Sequence, residues 1–150
     1  MVETEGYIDT NIFIYWLGKH PTFGNTAYRW IKEIEGAPRG RYATSILSIY
    51  QTIVIIAGLT GKNLKSSKLI EDIISSIISL PGLAIIPLTR EEVLKAISLM
   101  KEYSLDFDDA LHLATALGIK AKEIVSNDED FDRTPLTRRF SQYKAPAESI

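Results

Sequence analysis

A chain of 150 residues with 45% hydrophobic and 24% charged residues has the size and composition of one globular domain, which excludes a disordered protein. The absence of cysteine excludes disulfides and thiolate metal sites, and a net charge of −2 excludes a general electrostatic attraction to nucleic acid. The acidic N-terminus MVETEG is unlike a signal peptide, and the longest apolar runs are too short to cross a bilayer. We therefore expect a soluble cytoplasmic protein without a membrane partner.

Short apolar segments alternate with helical patterns along the chain. The segment 45–58 contains many β-branched residues, which suit a strand, but its length and apolar spacing favour a helix. Thr89 with Glu92 has the spacing of a capping box, and Asp106 is predicted to cap a helix that Gly118 ends. The predicted elements in chain order are a strand at 7–8, a helix at 10–17 capped by Thr10, a helix at 25–35, a strand at 41–44, helices at 45–58 and 69–78, a strand at 83–86, helices at 90–103 and 107–117, and a strand at 123–126.

Short, nearly all-apolar strands between helices are typical of a parallel sheet with both faces covered, so the predicted fold class is α/β. We find no internal repeat and no linker that would divide the chain. The prediction is one domain over 1–150, with a motif-bearing core at about 6–132 and a C-terminal tail at 133–150.

Three aspartates stand at the edges of this predicted core. Asp9 follows the first strand, Asp128 follows the fourth, and Asp109 lies in the first turn of the helix that leads to the fourth strand. Sites in parallel sheets form beyond the carboxyl ends of the strands, so these side chains are expected to face one crevice. Two carboxylates about 4 Å apart repel by roughly 4 kcal/mol at an effective dielectric near 20, and a group of them takes up protons or recruits a cation.

An aspartate site without cysteine suits a hard cation such as Mg²⁺ or Mn²⁺. Because such an ion activates water and stabilises charge on a phosphate, the expected chemistry is metal-dependent hydrolysis of a phosphodiester. A haloacid-type phosphatase would need an acid where Asn11 stands, and a receiver domain would need paired acids after the first strand. Neither class fits the sequence.

Each acid also has a purely structural interpretation. Asp9 can be a helix cap, Asp109 can complement the helix dipole as Asp108 is expected to do, and the remaining acids can form a surface loop, namely Asp128, Asp130 and Asp132. His112 lies on the helix face of Asp109, where a metal or base role competes with the partly exposed structural histidine that we expect. Four aromatic residues are expected in the core or a dimer contact rather than as base-stacking platforms: Trp16, Phe23, Tyr28 and Trp30.

The ordered set of motifs resembles the PIN-domain nucleases, including the VapC-type toxins of toxin–antitoxin pairs. The resemblance rests on Asp9 in YIDTNIFIY, Asp109 in DDALHLATA and Asp128 in VSNDEDF, and it covers about 7–131. It implies a three-layer α/β/α sandwich with a central, mostly parallel sheet, an acidic Mg²⁺ or Mn²⁺ site, and cleavage of single-stranded RNA. It also implies a homodimer and, for a toxin, a small antitoxin protein as partner.

The resemblance assigns roles by position. Asp9 and Asp109 match the first and third acids of the family and would bind the metal with Asp128, the fourth, while Asp130 is close enough to substitute or assist. Two further residues match supporting positions: Asn11, which would orient the carboxylate of Asp9, and Ser126, the small hydroxyl residue before the fourth acid.

One position departs from the family pattern. Gln51 stands where the second acid, normally a glutamate, is expected. A glutamine keeps a carbonyl oxygen that can bind a metal or water, but the site loses about one negative charge. Three explanations compete: an enzyme with a weaker metal site, a module that lost catalysis and kept RNA or partner binding, or a glutamine introduced to silence the enzyme.

Overall fold

The computed structural model describes residues 3–141. Within these residues there are five strands, β1 to β5, and six helices, α1 to α6, with two helices after each of the first three strands and one 3₁₀ turn after β4. In chain order these elements are β1 Gly6–Ile8, α1 Thr10–Leu17, α2 Gly24–Gly36, β2 Tyr42–Ser45, α3 Ile46–Thr60, α4 Ser67–Ile78, β3 Leu83–Ile86, α5 Arg90–Tyr103, α6 Phe107–Gly118, β4 Glu123–Val125, the 3₁₀ turn Glu129–Arg133 and β5 Thr137–Arg139.

All five strands are parallel and lie in the order β3-β2-β1-β4-β5. An apolar core lies on each face of the sheet, because successive strand residues point to opposite sides: Ile8 packs with helices α1 to α4, and Tyr7 packs with α5 and α6. The predicted α/β class with three layers is confirmed. The sheet order places the carboxyl ends of β1 and β4 side by side.

The helix predicted over 45–58 is confirmed as α3, which Ser45 caps by accepting a hydrogen bond from the backbone N–H of Leu47. Three predicted caps are wrong, and one of them is Asp106, which stands at the N-cap of α6 but makes no capping hydrogen bond with its side chain. Asp9, not Thr10, caps α1, because the carboxylate accepts from the first helical N–H. Thr89 donates its hydroxyl to the carboxylate of Glu92 and accepts no cap bond, so the capping box is incomplete.

No element is predicted beyond 126, and the part of the expected C-terminal tail that the structure describes contains a strand. Thr137–Arg139 pairs with β4 as the edge strand β5, and the backbone carbonyl of Phe140 accepts a hydrogen bond from the indole of Trp30. These strand residues are polar and partly exposed, so they carry no apolar pattern. Residues 142–150 of the predicted tail lie outside the described residues.

Trp30 is buried in the core, as predicted, whereas Tyr28 is 51% exposed. Phe23 and Trp16 are partly buried and pack against the same core. Over residues 3–141, no helix combines the length and the apolar character that crossing a membrane requires.

Candidate functional site

An acidic hollow of ≈ 190 Å³ lies beyond the carboxyl ends of β1 and β4. Short strands followed directly by helices or turns bring residues from distant chain segments to this edge of the sheet. The hollow is lined by Asp9, Thr10, Asn11, Ile14, Gln51, Ile55, Asp108, Asp109, His112 and Asp128. The three acids that the sequence places at strand ends and at a helix start therefore face one cavity.

Three carboxylates form a tight cluster at this edge. One oxygen from each of Asp109, Asp128 and Asp130 lies within 4.8 Å of the other two, and all three residues are partly exposed. Asp109 also meets this distance with a second group, Asp106 and Asp108, but both of these are exposed to solvent. The first cluster is better shielded from water and adjoins Asp9 across the hollow, so it is the stronger candidate for binding a cation.

Asp9 is only 5% exposed, yet hydrogen bonds satisfy both of its carboxylate oxygens. Its Oδ1 accepts from the backbone N–H of Thr10 at 2.7 Å. Its Oδ2 accepts from the hydroxyl of Ser126 at 2.6 Å and from the amide of Asn11 at 3.2 Å. These donors compensate the cost of burying a charged group and fix the direction of the carboxylate. The orienting contact expected from Asn11 is present.

Ser126 connects two of the acids. Its hydroxyl donates to Asp9 and accepts from the backbone N–H of Asp128 at 2.9 Å, while Asn11 also donates to it at 3.2 Å. Asp128 in turn accepts from the backbone N–H of Asp130 and thereby caps the 3₁₀ turn. The backbone after β4 is thus bonded to the residues after β1, which holds the two halves of the hollow together.

The acids of the turn divide between the hollow and nearby arginines. Asp130 joins the carboxylate cluster and also pairs with the guanidinium of Arg133 at 3.1 Å. Asp132 pairs with Arg138 at 2.9 Å, and hydrogen bonding to Arg138 lowers the pKa of Asp132. Arg138 also donates to the backbone carbonyl of Ser126. Asp132 is therefore a structural acid, and Arg138 is a site neighbour that the polar sequence of β5 did not reveal.

The electrostatics of the hollow favour either a proton or a cation. Burial, followed by the negative charges of Asp128, Asp9 and Asp108, raises the pKa of Asp109 to about 8. A carboxylate that holds its proton near neutral pH is shielded from water and lies beside other negative charges without a compensating cation. A divalent cation would supply that compensation, and a cluster of carboxylate oxygens is the donor set that hard cations prefer.

His112 is almost completely buried, so the expectation of a partly exposed histidine is wrong. The hydroxyl of Tyr7 donates to Nδ1 at 2.6 Å, which leaves Nε2 to donate to the carbonyl oxygen of Gln51 at 2.8 Å. Burial lowers the pKa of His112, consistent with a neutral ring in this role. The Tyr7 contact joins residues 105 positions apart, so no local sequence pattern indicates it.

Gln51 lies on the wall of the hollow where the family pattern has an acid. Its carbonyl oxygen accepts from the hydroxyl of Thr10 at 2.6 Å as well as from His112. Both lone pairs are thus in use, which differs from the expectation of an oxygen available to a metal or water. Gln51 supports the wall of the hollow through neutral hydrogen bonds.

Comparison with solved structures finds proteins of the same fold. VapC20 of Mycobacterium tuberculosis, described as a sarcin-ricin loop cleaving toxin, is 14% identical with a TM-score of 0.73, over 91% of this chain and 99% of that chain. A toxin–antitoxin complex from Klebsiella pneumoniae is 21% identical with a TM-score of 0.60, over 89% and 99%. VapBC2 from Rickettsia felis, bound to a promoter DNA fragment, is 20% identical with a TM-score of 0.65, over 91% and 98%.

The comparison of sequences identifies the family. A search of the curated proteins finds no match. The family model described as PIN domain matches residues 6–136, which is most of the chain and includes every residue of the carboxylate cluster. This match agrees with the fold and with the acids at the ends of β1 and β4. The chain therefore belongs to the PIN-domain family.

Proposed function

We propose that the chain is a metal-dependent endoribonuclease that hydrolyses phosphodiester bonds of single-stranded RNA. The observation that carries this proposal is the convergence of four aspartates on one edge of the sheet, with Asp109, Asp128 and Asp130 mutually within 4.8 Å and Asp9 lining the same hollow. Membership of the PIN-domain family adds support, because that family is known for nucleases.

The residues fit a Mg²⁺ or Mn²⁺ ion, since all the acidic donors are hard oxygen ligands and the pKa of Asp109 is raised first by burial and then by the neighbouring carboxylates. Asp9, Asp109 and Asp128 would hold the ion, with Asp130 assisting. When bound, the ion would supply an activated water and stabilise charge on the phosphate. Ser126 and Asn11 would keep Asp9 directed into the hollow through their hydrogen bonds to its carboxylate.

A second candidate function is an RNA-binding or partner-binding module with weak or no catalysis. Gln51 favours it, because an amide whose oxygen is already bonded to Thr10 and His112 adds no charge to the hollow. The two functions share the fold and differ in the strength of the metal site.

Cleavage of single-stranded RNA in the presence of Mg²⁺ or Mn²⁺ separates the two. Activity in the native chain that disappears in Asp9→Asn supports the enzyme. A native chain that binds RNA without cleaving it, together with cleavage by Gln51→Glu, supports the second function. Cleavage that persists unchanged in both Asp9→Asn and Asp109→Asn would contradict the assignment of the site.

We further propose that the chain is the toxin of a toxin–antitoxin pair, with a small antitoxin protein as partner, and that it acts in the cytoplasm as a homodimer. Similarity to the fold of toxin–antitoxin structures supports the partner. An exposed apolar stripe on α3 supports the dimer, and its members, spaced four residues apart, are Ile46, Tyr50 and Val54. Sedimentation of the purified chain tests the dimer, and co-purification with the product of an adjacent small gene tests the antitoxin.

A further inference from the structure

A second hollow lies between α1 and α2, and we call it the aromatic hollow. Its volume is ≈ 360 Å³, at the lower end of the range for small-ligand sites. It is lined by Tyr15, Trp16, Lys19, His20, Gly24, Asn25 and Tyr28. Aromatic rings, an amine and amide or imidazole groups together are the side chains that recognise a nucleobase and its phosphate.

Two of the rings in the aromatic hollow are available for stacking. In the described part of the chain, Trp16 and Tyr28 make no ring–ring contact, whereas Tyr15 packs against His20, Phe23 and Phe140. Tyr28 is 51% exposed although it lines a concave surface. A base inserted here would cover apolar ring area that now faces water.

The charge of the aromatic hollow complements a phosphate. Lys19 forms no ion pair within residues 3–141, whereas Arg133 and Arg138 are paired with Asp130 and Asp132. The acidic hollow itself repels an RNA backbone. Lys19 lines the aromatic hollow and is therefore a cation that can hold a phosphate of a strand bound there.

Hydrogen bonds connect the aromatic hollow to the acidic one. Tyr15 lies four residues after Asn11 on α1, one helical turn or about 6 Å along the axis. Its hydroxyl accepts from the amide of Asn127, whose backbone N–H donates to Asn11 and which directly precedes Asp128. A strand bound at the acids therefore reaches the aromatic hollow with a nucleotide close to the one that is cut.

We infer that the aromatic hollow binds one nucleobase of a single-stranded RNA, stacked on Tyr28 and Trp16, with an adjacent phosphate at Lys19. This inference rests on the proposed function and adds a position at which the enzyme holds its substrate next to the cleavage site.

The test is the binding of a fluorescent single-stranded RNA octamer, measured by anisotropy. All titrations use the full chain with Asp109→Asn, which removes one acid beside the RNA and on the proposed function does not cleave it. Adding Tyr28→Ala is expected to weaken binding at least fivefold, the low end for loss of one base–aromatic stack, while Tyr28→Phe, which keeps the ring, leaves affinity within twofold.

The matched charge test compares two lysines with the same backbone conformation. Lys19 and Lys120 have φ values of 52° and 58°, a region that asparagine tolerates well. Lys19→Asn is expected to remove one phosphate contact. The slope of log K for RNA binding against log salt concentration should therefore become shallower by about 0.7. Lys120→Asn, located before the amino end of β4 at the opposite edge of the sheet, is expected to leave it unchanged.

Octamers that lack one base at a time complete the test. For the chain that keeps Tyr28, the octamer that lacks the stacked base is expected to bind more weakly than the intact octamer. For Tyr28→Ala, the two octamers are expected to bind equally. RNA binding that is indifferent to Tyr28→Ala and Lys19→Asn would overturn the aromatic hollow alone and leave the proposed function standing. The absence of any RNA binding or cleavage by the native chain would overturn both.

Discussion

Gln51 occupies the one wall position of the acidic hollow where the family pattern has an acid. Its carbonyl oxygen accepts from Thr10 and His112, and His112 is held from behind by Tyr7. These neutral hydrogen bonds satisfy the polar atoms that join Gln51, His112 and Tyr7, and no buried side-chain polar atom of the described residues lacks a partner. The wall is therefore stable as it stands, and it contributes no charge to cation binding.

Gln51→Glu is expected to strengthen Mn²⁺ binding. A carboxylate here adds one negative charge to the hollow, and roughly 1 kcal/mol of added attraction at high effective dielectric corresponds to about a fivefold gain in affinity. Calorimetric titration measures the gain. Thr60→Glu adds the same charge at the exposed end of α3 and serves as control. Equal affinities for native and Gln51→Glu would show that position 51 does not face the ion.

Asp109 makes the stability of the metal-free protein depend on pH. Its pKa is about 8 in the folded chain against 3.8 for the ordinary side chain, so the folded state retains a proton that the unfolded state releases. The contribution of Asp109 to the free energy of unfolding is fully present below about pH 4, and it is lost as the pH rises to about 8. The cause is burial first, then the neighbouring carboxylates.

Asp109→Asn is therefore expected to be more stable than the native chain at pH 8 without metal, by roughly 1 kcal/mol once solvent screening of a partly exposed group is allowed for. The difference should vanish near pH 4. Urea unfolding in a chelating buffer at the two pH values measures it. A native chain that is more stable than the variant at pH 8 would mean that Asp109 is compensated by a group of the protein itself.

Asp9 shows what the sequence alone could establish at this scale. From the sequence, helix cap and site acid are alternative roles for Asp9. In the structure Asp9 has the cap contact and also lines the hollow, because its two oxygens accept from different donors. The hydrogen bond from Asn11 to the carboxylate of Asp9 was predictable, because Asn11 follows Asp9 by only two residues. The His112 network was not, since it depends on contacts between strands and helices far apart in the chain.

Element boundaries were predictable where apolar periodicity is strong. The composition of the α3 segment suits a strand or a helix, and its length correctly favoured the helix. The structure adds Ser45 as the cap of this helix. The strand β5 was not predictable, because three polar residues at a sheet edge owe their conformation to pairing with β4 rather than to local preference. Its position matters for the site, since Arg138 on β5 bonds to Ser126 and Asp132.

Two glycines provide a matched test of element packing. At Gly82, before β3, an added Cβ would lie 2.3 Å from the backbone oxygen of Ile34, whereas at Gly58, within α3, it would meet nothing within 4 Å. Gly82→Ala is expected to lose about 2 kcal/mol of unfolding free energy, and Gly58→Ala to gain about 0.5–1 kcal/mol from helix propensity. Urea unfolding of both variants measures this, and a Gly82→Ala chain as stable as the native one would refute the close approach of α2.

The whole molecule owes its site to strand order. The chain builds the sheet outward from β1 to β3, then returns to place β4 on the other side of β1, which makes the gap between β1 and β4 a switch point. Asp9 after β1 and Asp128 after β4 meet there, and α6 delivers Asp109 to the same place. The convergence of these acids was predictable, because sites in parallel sheets form beyond the carboxyl ends of the strands. The second, exposed group of acids, Asp106 and Asp108 with Asp109, was not predicted.

Titration of the native chain with Mn²⁺, compared with Asp128→Asn and Asp106→Asn, tests most directly whether the acid after β4 and the acid at the start of α6 form one cation site. Asp128 belongs to the cluster with Asp109 and Asp130, and Asp106 belongs to the exposed group that shares only Asp109 with it. Our account predicts at least a tenfold loss of affinity in Asp128→Asn and less than a twofold change in Asp106→Asn. The reverse order, or a native chain that binds no Mn²⁺ at millimolar concentration, would contradict it.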